Sequence, residues 1–195
     1  YYDRECADKR ATGNFNLNWE IVDGLTATAQ YAMHDYNYRG SYYARGEVDG
    51  YPNLISQTRS TTETRTQTVR DTFTAHLAFN RTFADKHTVG ATLGYELMSQ
   101  RYWYLTSNST GSASDDVPIL DSGINFKASN KDEKQALMSL FGRVSYDFAQ
   151  KYIVSATFRY DGSSKFAKGN QWGFFPAASA AWVISEEPFF EGVRR

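Results

Sequence analysis

The chain has 195 residues, 21 of them Lys or Arg and 22 Asp or Glu, for a net charge of −1. Tyr, Phe and Trp supply 16% of it, and the mean hydropathy is −0.57. The charge balance argues against a charge-driven nucleic-acid binder, the aromatic content against disorder, and the lack of an apolar run of ~18 residues against a transmembrane helix.

Residues 14–21 alternate without exception: Phe15, Leu17, Trp19 and Ile21 are apolar, and Asn14, Asn16, Asn18 and Glu20 are polar. Strand side chains alternate between faces, so this predicts a strand with one greasy and one wet face. Asp23-Gly24 predicts a tight hairpin turn. Leu25, Ala27, Ala29, Tyr31 and Met33 then recur at every second position. A third segment places Phe73, Ala75, Leu77 and Phe79 on one face, and a fourth Val89, Ala91, Leu93, Tyr95 and Leu97. Met138, Leu140, Val144, Tyr146 and Phe148 mark a fifth, and Tyr152, Val154, Ala156, Phe158 and Tyr160 a sixth. A weaker seventh runs from Trp172 to Ile184, with Ala178, Ala180, Trp182 and Ile184 on its greasy face. A short turn of helix is expected near 186–191.

The connections are short at 22–24, 82–87 and 149–151, long at about 39–68 and 99–135, and medium at 162–171. Short turns therefore gather at one end of the sheet and long polar loops at the other, which is the asymmetry of outer-membrane barrels. Most of the segments also have the ~9–11 residues or more that a tilted membrane strand needs. Aromatics sit toward both ends. Trp19, Phe79, Phe83, Phe148, Tyr152 and Trp182 lie beside the short turns. Tyr31, Tyr36, Tyr38, Tyr95, Phe158, Tyr160 and Trp172 lie toward the long loops. The membrane-girdle candidates among them are Trp19, Tyr31, Phe79, Tyr95, Phe148, Tyr152, Phe158, Tyr160 and Trp182. The fold class expected is all-β: an antiparallel up-and-down transmembrane β-barrel segment. Bacterial barrels close with an even strand number, so seven strands read as part of a larger barrel. The ends of the chain fit that expectation, an artificially bounded chain being the alternative. A large soluble sandwich, with the same rings as its core, is the competing architecture.

Catalytic signals are weak, and no enzyme is expected. His34, His76 and His87 have no metal-ligand spacing, and the one cysteine, Cys6, excludes an internal disulfide. The run from Asp35 to Gly40 looks like the start of a calcium loop, but Arg39 and Gly46 stand where ligands are needed. Asp115-Asp116 reads as a solvated loop before an ion site. No metal or cofactor is expected. In a barrel, Glu20, Glu96, Arg143, Asp147 and Arg159 face the lumen. Tyr42, Tyr43, Tyr51, Tyr102, Trp103 and Tyr104 are the ligand-contact candidates, since such rings bring large area at low entropy cost. Packing between neighbouring loops is their other reading.

One stretch is specific. It runs Tyr160-Asp161-Gly162-Ser163-Ser164-Lys165-Phe166, then Gln171-Trp172-Gly173-Phe174-Phe175-Pro176, Ala180-Ala181-Trp182 and Ile184-Ser185-Glu186-Glu187. It resembles the SusC/RagA family of TonB-linked outer-membrane proteins. Leu140 to Tyr146 with Lys151-Tyr152 is similar to the family's preceding hairpin, and Asn16 to Trp19 with Gly24-Leu25-Thr26 to an earlier one. The chain departs from the family's usual run at Lys165, Ala167, Gln171, Ala177, Ala181 and Val183, which touches packing and no chemistry. The resemblance implies a barrel of about 22 strands with a plug inside, of which residues 1–195 are a mid-barrel portion. It implies import of oligosaccharides or peptides across the outer membrane of a Gram-negative bacterium. The TonB complex would supply energy, a SusD-like lipoprotein would cap the extracellular face, and outer-membrane lipid would surround the wall. Nucleic acid is not an expected partner. A siderophore or vitamin receptor and a secreted carbohydrate-binding sandwich are the alternatives.

Overall fold

The computed structural model describes residues 2–48, 51–55 and 58–190, with side chains described at 3–46 and 58–189. The long strands are β1 (Tyr2–Val22), β2 (Leu25–Ala44), β5 (Ser60–Phe83), β6 (His87–Thr110), β7 (Asn125–Phe148), β8 (Tyr152–Ser163) and β9 (Trp172–Trp182). They form one sheet in the order β1-β2-β5-β6-β7-β8-β9, while β3 (Glu47–Val48) and β4 (Tyr51–Ile55) pair separately. The fold is all-β and antiparallel. The helical turn expected near 186–191 is a pair of 3₁₀ turns at Ile184–Glu186 and Pro188–Phe190.

The three tight turns explain the up-and-down path. Gly24 takes φ +80°, and a Cβ there would meet the Asn80 carbonyl oxygen at 2.6 Å. The other two turns do without glycine. Ala84 and Asp85 have φ 48° and 56°, and Ala149 and Gln150 have φ 55° and 58°. Lys86 N donates to Phe83 O at 3.2 Å and Lys151 N to Phe148 O at 3.0 Å. Two successive positive φ angles under such a bond make the type I′ turn, whose twist matches that of the strands it joins. Asp147 Oδ1 accepts from Gln150 N at 2.7 Å, and Ala149 N donates to Lys86 O at 2.6 Å, tying neighbouring turns together.

The long loops are shorter than the sequence suggests. Strand runs to Ala44 and resumes at Ser60, so the expected loop at 39–68 shrinks to a connection that itself holds the β3–β4 hairpin. The expected loop at 99–135 shrinks to 111–124, because β6 continues to Thr110 and β7 begins at Asn125. The reason is that these extensions alternate between two polar rows. Thr62, Thr64, Thr66 and Thr68 interleave with Glu63, Arg65 and Gln67. The β-branched row favours strand without supplying a hydrophobic signal.

The chain divides into two compact units. One comprises Tyr1–Gly13, Met33–Arg70 and Gln100–Lys134. Its buried residues include Tyr43, Ala44, Thr61 and Ser109, around the ends of β2, β5 and β6. The other comprises Asn14–Ala32, Asp71–Ser99 and Gln135–Arg195 and holds the tight turns and the amphipathic parts of the strands. Its large apolar side chains are not covered: Phe15 is 66% exposed, Leu77 46% and Val154 48%. The soluble sandwich needs these residues under a second layer, and they are open.

Candidate functional site

Hydrogen bonds between strands fix which residues share a face. In the second unit, Thr28 Oγ1 donates to Asn18 Oδ1 at 2.9 Å, Thr74 Oγ1 reaches Glu96 Oε2 at 3.4 Å, and Ser155 and Ser179 hydroxyls lie 2.7 Å apart. These are polar-face residues. The register pairs Val144 with Ala156 and Ala156 with Ala178, and Tyr146 with Val154 and Val154 with Ala180, on the apolar face.

The polar face gathers one charged cluster. Arg159 Nε donates to Asp161 Oδ1 and Oδ2 at 2.8 and 3.0 Å. Its Nη2 reaches Glu96 Oε1 at 3.1 Å and Ser139 Oγ at 2.9 Å, and the guanidinium stands 5.9 Å from the Phe141 ring centre. Glu96 and Arg159 were both expected on the wet face, and the structure brings them together. Asp161, Ser139 and Phe141 join them because β8 pairs Arg159 with Phe141 and Asp161 with Ser139. Two carboxylates share one guanidinium, so the cluster keeps one net negative charge. Arginine stays protonated at any working pH, so the arrangement can hold or attract charge rather than transfer protons. The other expected wet-face charges stand apart. Arg143 lies opposite Thr157, Asp147 serves the turn, and Glu20 is exposed near the end of β1.

The first unit carries a tyrosine-rich polar row. Tyr36 donates to Asp8 Oδ1 at 2.9 Å and Arg10 stands 5.1 Å over the Tyr36 ring. The Tyr38 hydroxyl and Cys6 Sγ are 3.5 Å apart, and this contact, then Arg4, holds the thiol below its ordinary value. Tyr36 and Tyr38 thus sit on the polar face, not among girdle rings, because the apolar row of β2 ends at Met33 and gives way to Asp35, Asn37 and Arg39. Thr64 meets Thr106 at 3.3 Å, Asn108 Nδ2 donates to Thr62 Oγ1 at 2.9 Å, and Arg70 holds Gln100 Oε1 at 2.7 Å. By strand alternation Tyr102 and Tyr104 share that face with Gln100 and Thr106.

The three ring candidates on β6 therefore do not form one surface. Trp103 lies on the opposite side, with Arg101, whose guanidinium binds Asp132 at 2.6 Å and holds that carboxyl below its usual range. Tyr43 is 2% exposed, and its hydroxyl donates to Asp115 Oδ1 at 2.8 Å. Burial, then that bond, pushes its pKa up to about 12. Asp115 also accepts from Gly46 N and pairs with Arg59, each at 3.0 Å, so Tyr43 fastens loop to strand and offers no open ring. Tyr42 is 36% exposed on β2. Tyr51 has its side chain outside the described residues. Asp35, the head of the calcium-like run, accepts from Asn37 at 2.8 Å and Gln67 at 3.3 Å.

The apolar face of the second unit ends in aromatic rows. Phe148, Tyr152 and Trp182 stack side by side, with centroids 6.3 and 6.4 Å apart. Glu187 Oε1 accepts from the Tyr152 hydroxyl at 2.6 Å and Trp182 Nε1 at 3.1 Å, which holds its carboxyl below the ordinary value. Toward the other end of β8 and β9, Tyr160 stacks on Trp172 at 4.8 Å and Phe158 lies beside Phe174, and on β2 Tyr31 donates to Asp71 Oδ1 of β5 at 2.6 Å. Phe79 occupies the same row of β5 as Phe73 and Leu77. Trp19 and Tyr95, expected at opposite margins, border one groove with Leu17, Leu77 and Leu140. A row read at right angles to the strands changes depth once strands tilt by the ~35–45° usual in barrels.

A model of the TonB dependent receptor-like β-barrel family matches residues 1–188. The chain is 38% identical over 120 residues to the TonB-dependent receptor P39 of Formosa agariphila, which is 59% of this chain and 11% of that protein. It is 25% identical over 194 residues to the TonB-dependent receptor P3 of the same organism, 96% of this chain and 19% of that protein. Over 60 residues it is 43% identical to the TonB-dependent receptor SusC of Bacteroides thetaiotaomicron, 31% of this chain and 6% of that one. It thus spans a fifth or less of these relatives. Among solved structures, the RagAB peptide transporter superposes with a TM-score of 0.87 at 20% identity, covering 100% of this chain and 21% of the transporter chain.

Proposed function

Since the chain belongs to the TonB-dependent receptor β-barrel family, we propose that it forms part of the wall of an outer-membrane importer in a Gram-negative bacterium. Residues 1–195 are then a portion of the barrel domain, and their work is transport, not catalysis. The observation that carries this reading is the two-faced sheet. One face leaves Phe15, Leu77, Leu93 and Val154 open between aromatic rows, and the other gathers Glu96 and Arg159 among polar side chains. Such grease is untenable in water over so wide a patch. Against acyl chains it is the favourable side, while the strand ladder satisfies the backbone that lipid cannot.

In this arrangement the polar face looks into a water-filled lumen, which solvates Glu20, Arg143 and the Glu96–Arg159–Asp161 cluster. The cargo is an oligosaccharide or a peptide. Tyr36, Tyr38, Tyr102 and Tyr104, with the threonine row of β5, supply rings and hydroxyls that suit either class. A SusD-like lipoprotein covers the extracellular mouth, and the TonB complex supplies energy through other parts of the longer protein. The relative named SusC and the structural neighbour described as a peptide transporter support this choice of cargo and partner. The test is uptake of labelled oligosaccharides and peptides by cells with and without the full-length receptor. Uptake lost on deletion and on collapse of the proton-motive force supports the reading. Unchanged uptake of both cargoes, with the receptor absent from outer-membrane fractions, refutes it.

A further inference from the structure

We propose that the polar face of the first unit holds a cargo subsite for a carboxylate-bearing oligosaccharide, with Arg10 and Arg70 taking the carboxylates and the β5 threonines the sugar hydroxyls. This deepens, and rests on, the reading that the polar face lines an import path. Charge separates the two faces of this unit. In its strand stretches, alternation places Arg4, Arg10, Arg70, Lys127 and Lys131 on the polar face. The acids on that face are Asp8 and Glu133 alone, whereas the opposite face of the same stretches carries equal numbers of acids and bases. Contacts fix the assignment. Arg10 stands 5.1 Å over the Tyr36 ring, Arg4 Nε donates to Cys6 Sγ at 3.3 Å, and Arg70 Nε and Nη2 donate to Gln100 Oε1 at 2.9 and 2.7 Å. Among the described residues, Lys131 is the one cation of the five with an ion pair, to Glu133 at 2.8 Å. The positive excess is therefore not neutralised within the face, and cations lining a confined path concentrate an anion there.

Hydroxyls and rings lie between these cations. Thr64 Oγ1 is 3.3 Å from Thr106 Oγ1 and Arg70 meets Gln100, so Thr66 and Thr68 stand beside Tyr104 and Tyr102 of β6. On the opposite face Gln67 Nε2 donates to Asp35 Oδ1 at 3.3 Å, a register that sets Tyr36 of β2 beside Thr66. Tyr36 and Tyr104 thus flank Thr66 from two strands, about 10 Å apart at ~4.8 Å per strand. The Thr66 and Thr68 hydroxyls have no hydrogen-bond partner among the described residues. Each offers one donor and two acceptor lone pairs, which suits the hydroxyls of a sugar. The tyrosines add flat apolar area for the C–H face of a pyranose and a polar tip for its rim. A guanidinium meets a carboxylate through two parallel bonds. Neutral Gln100 holds Arg70 in place, and the Arg70 Nη1 has no partner among the described residues. An acidic peptide would satisfy the cations equally, but it makes less use of a hydroxyl row set between rings.

The experiment uses the full-length receptor in nanodiscs with three fluorescently labelled probes of equal length: oligogalacturonate, its carboxyl-reduced counterpart and oligoglutamate. Anisotropy reads each Kd. Oligogalacturonate is expected to bind about 25-fold tighter than the reduced sugar, from about fivefold for each of Arg10 and Arg70, the upper end for exposed ion pairs. It should also bind tighter than oligoglutamate, and its preference over the reduced sugar should shrink as salt rises. Arg10→Gln/Arg70→Gln should bring the two sugars level. Thr66→Val/Thr68→Val should weaken both sugars and leave their ratio unchanged. Equal binding of the two sugars, a preference that survives Arg10→Gln/Arg70→Gln, sugar binding indifferent to Thr66→Val/Thr68→Val, or oligoglutamate bound as tightly as oligogalacturonate would each overturn the proposal. Should a variant fail to fold, the wild type decides, since a preference insensitive to salt overturns it as well. Such a failure in a receptor that still imports a neutral oligosaccharide or a peptide sinks the subsite alone; a receptor that imports neither and is absent from the outer membrane sinks the importer reading.

Discussion

Charging the apolar face at mid-depth offers a quantitative check. Leu93 is 53% exposed on β6, with Leu77 and Val144 beside the grooves it borders. Six residue steps separate it from His87, the first residue of the strand, or about 20 Å along the strand. A tilt of ~35–45° turns that into about 15 Å of depth, close to the middle of a ~25 Å apolar band. Leu93→Arg should therefore destabilise the barrel by about 2–4 kcal/mol, the cost of arginine near the midplane. Phe83→Arg, beside the tight turn, should cost only about 0–1 kcal/mol because the charge reaches the interface. Ala78→Arg lies on the polar face of β5 and should change little. The assay is denaturant unfolding of the full-length receptor in liposomes, followed by tryptophan fluorescence, with all three variants in the same lipid. Equal costs for Leu93→Arg and Ala78→Arg would refute the reasoning.

Gly24→Ala should lower stability by about 1–2 kcal/mol in the same unfolding assay, since φ +80° is strained for an L side chain. Tyr43→Phe removes a buried hydrogen bond to a carboxylate, worth about 1.5–3 kcal/mol, and should speed proteolysis within 111–118 by loosening the loop that Asp115 fastens. In an alkaline absorbance titration Tyr43 should ionise near 12. Its folded value is raised, so its stabilisation is intact below the ordinary value of 10 and fades as pH rises toward 12. Glu187 has a lowered value, so its hold on Tyr152 and Trp182 is present above its ordinary value of 4.5 and fades as pH falls through the folded one. Trp182 emission should follow that acid transition in the wild type and stay flat in Glu187→Gln.

Seven strands in their order were legible because Phe15 to Ile21, Val89 to Leu97 and Tyr152 to Tyr160 alternate against polar partners. The first part of β5 was not, because Thr62 to Thr68 alternate with Glu63, Arg65 and Gln67 and leave no apolar row to count. Asp23-Gly24 announced its turn, whereas Ala84-Asp85 and Ala149-Gln150 adopt positive φ without glycine, forced by the strands they join. The wet-face placement of Glu96 and Arg159 followed from parity. Their contact across 63 residues depends on register, which no single strand encodes. Tyr43 looked like a free loop ring because its partner Asp115 lies 72 residues away.

Val154 and Ser155 are adjacent on β8 and point to opposite faces, Val154 beside Ala180 and Ser155 bonded to Ser179. A nitroxide placed at each in turn, in the full-length receptor with Cys6→Ser and reconstituted in bilayers, reads the environment of both faces by collision with oxygen and with a water-soluble nickel chelate. The label at 154 should collide with oxygen and be shielded from nickel, and the label at 155 should meet nickel. Nickel access at 154, or shielding from both reagents at the two sites, would contradict the account.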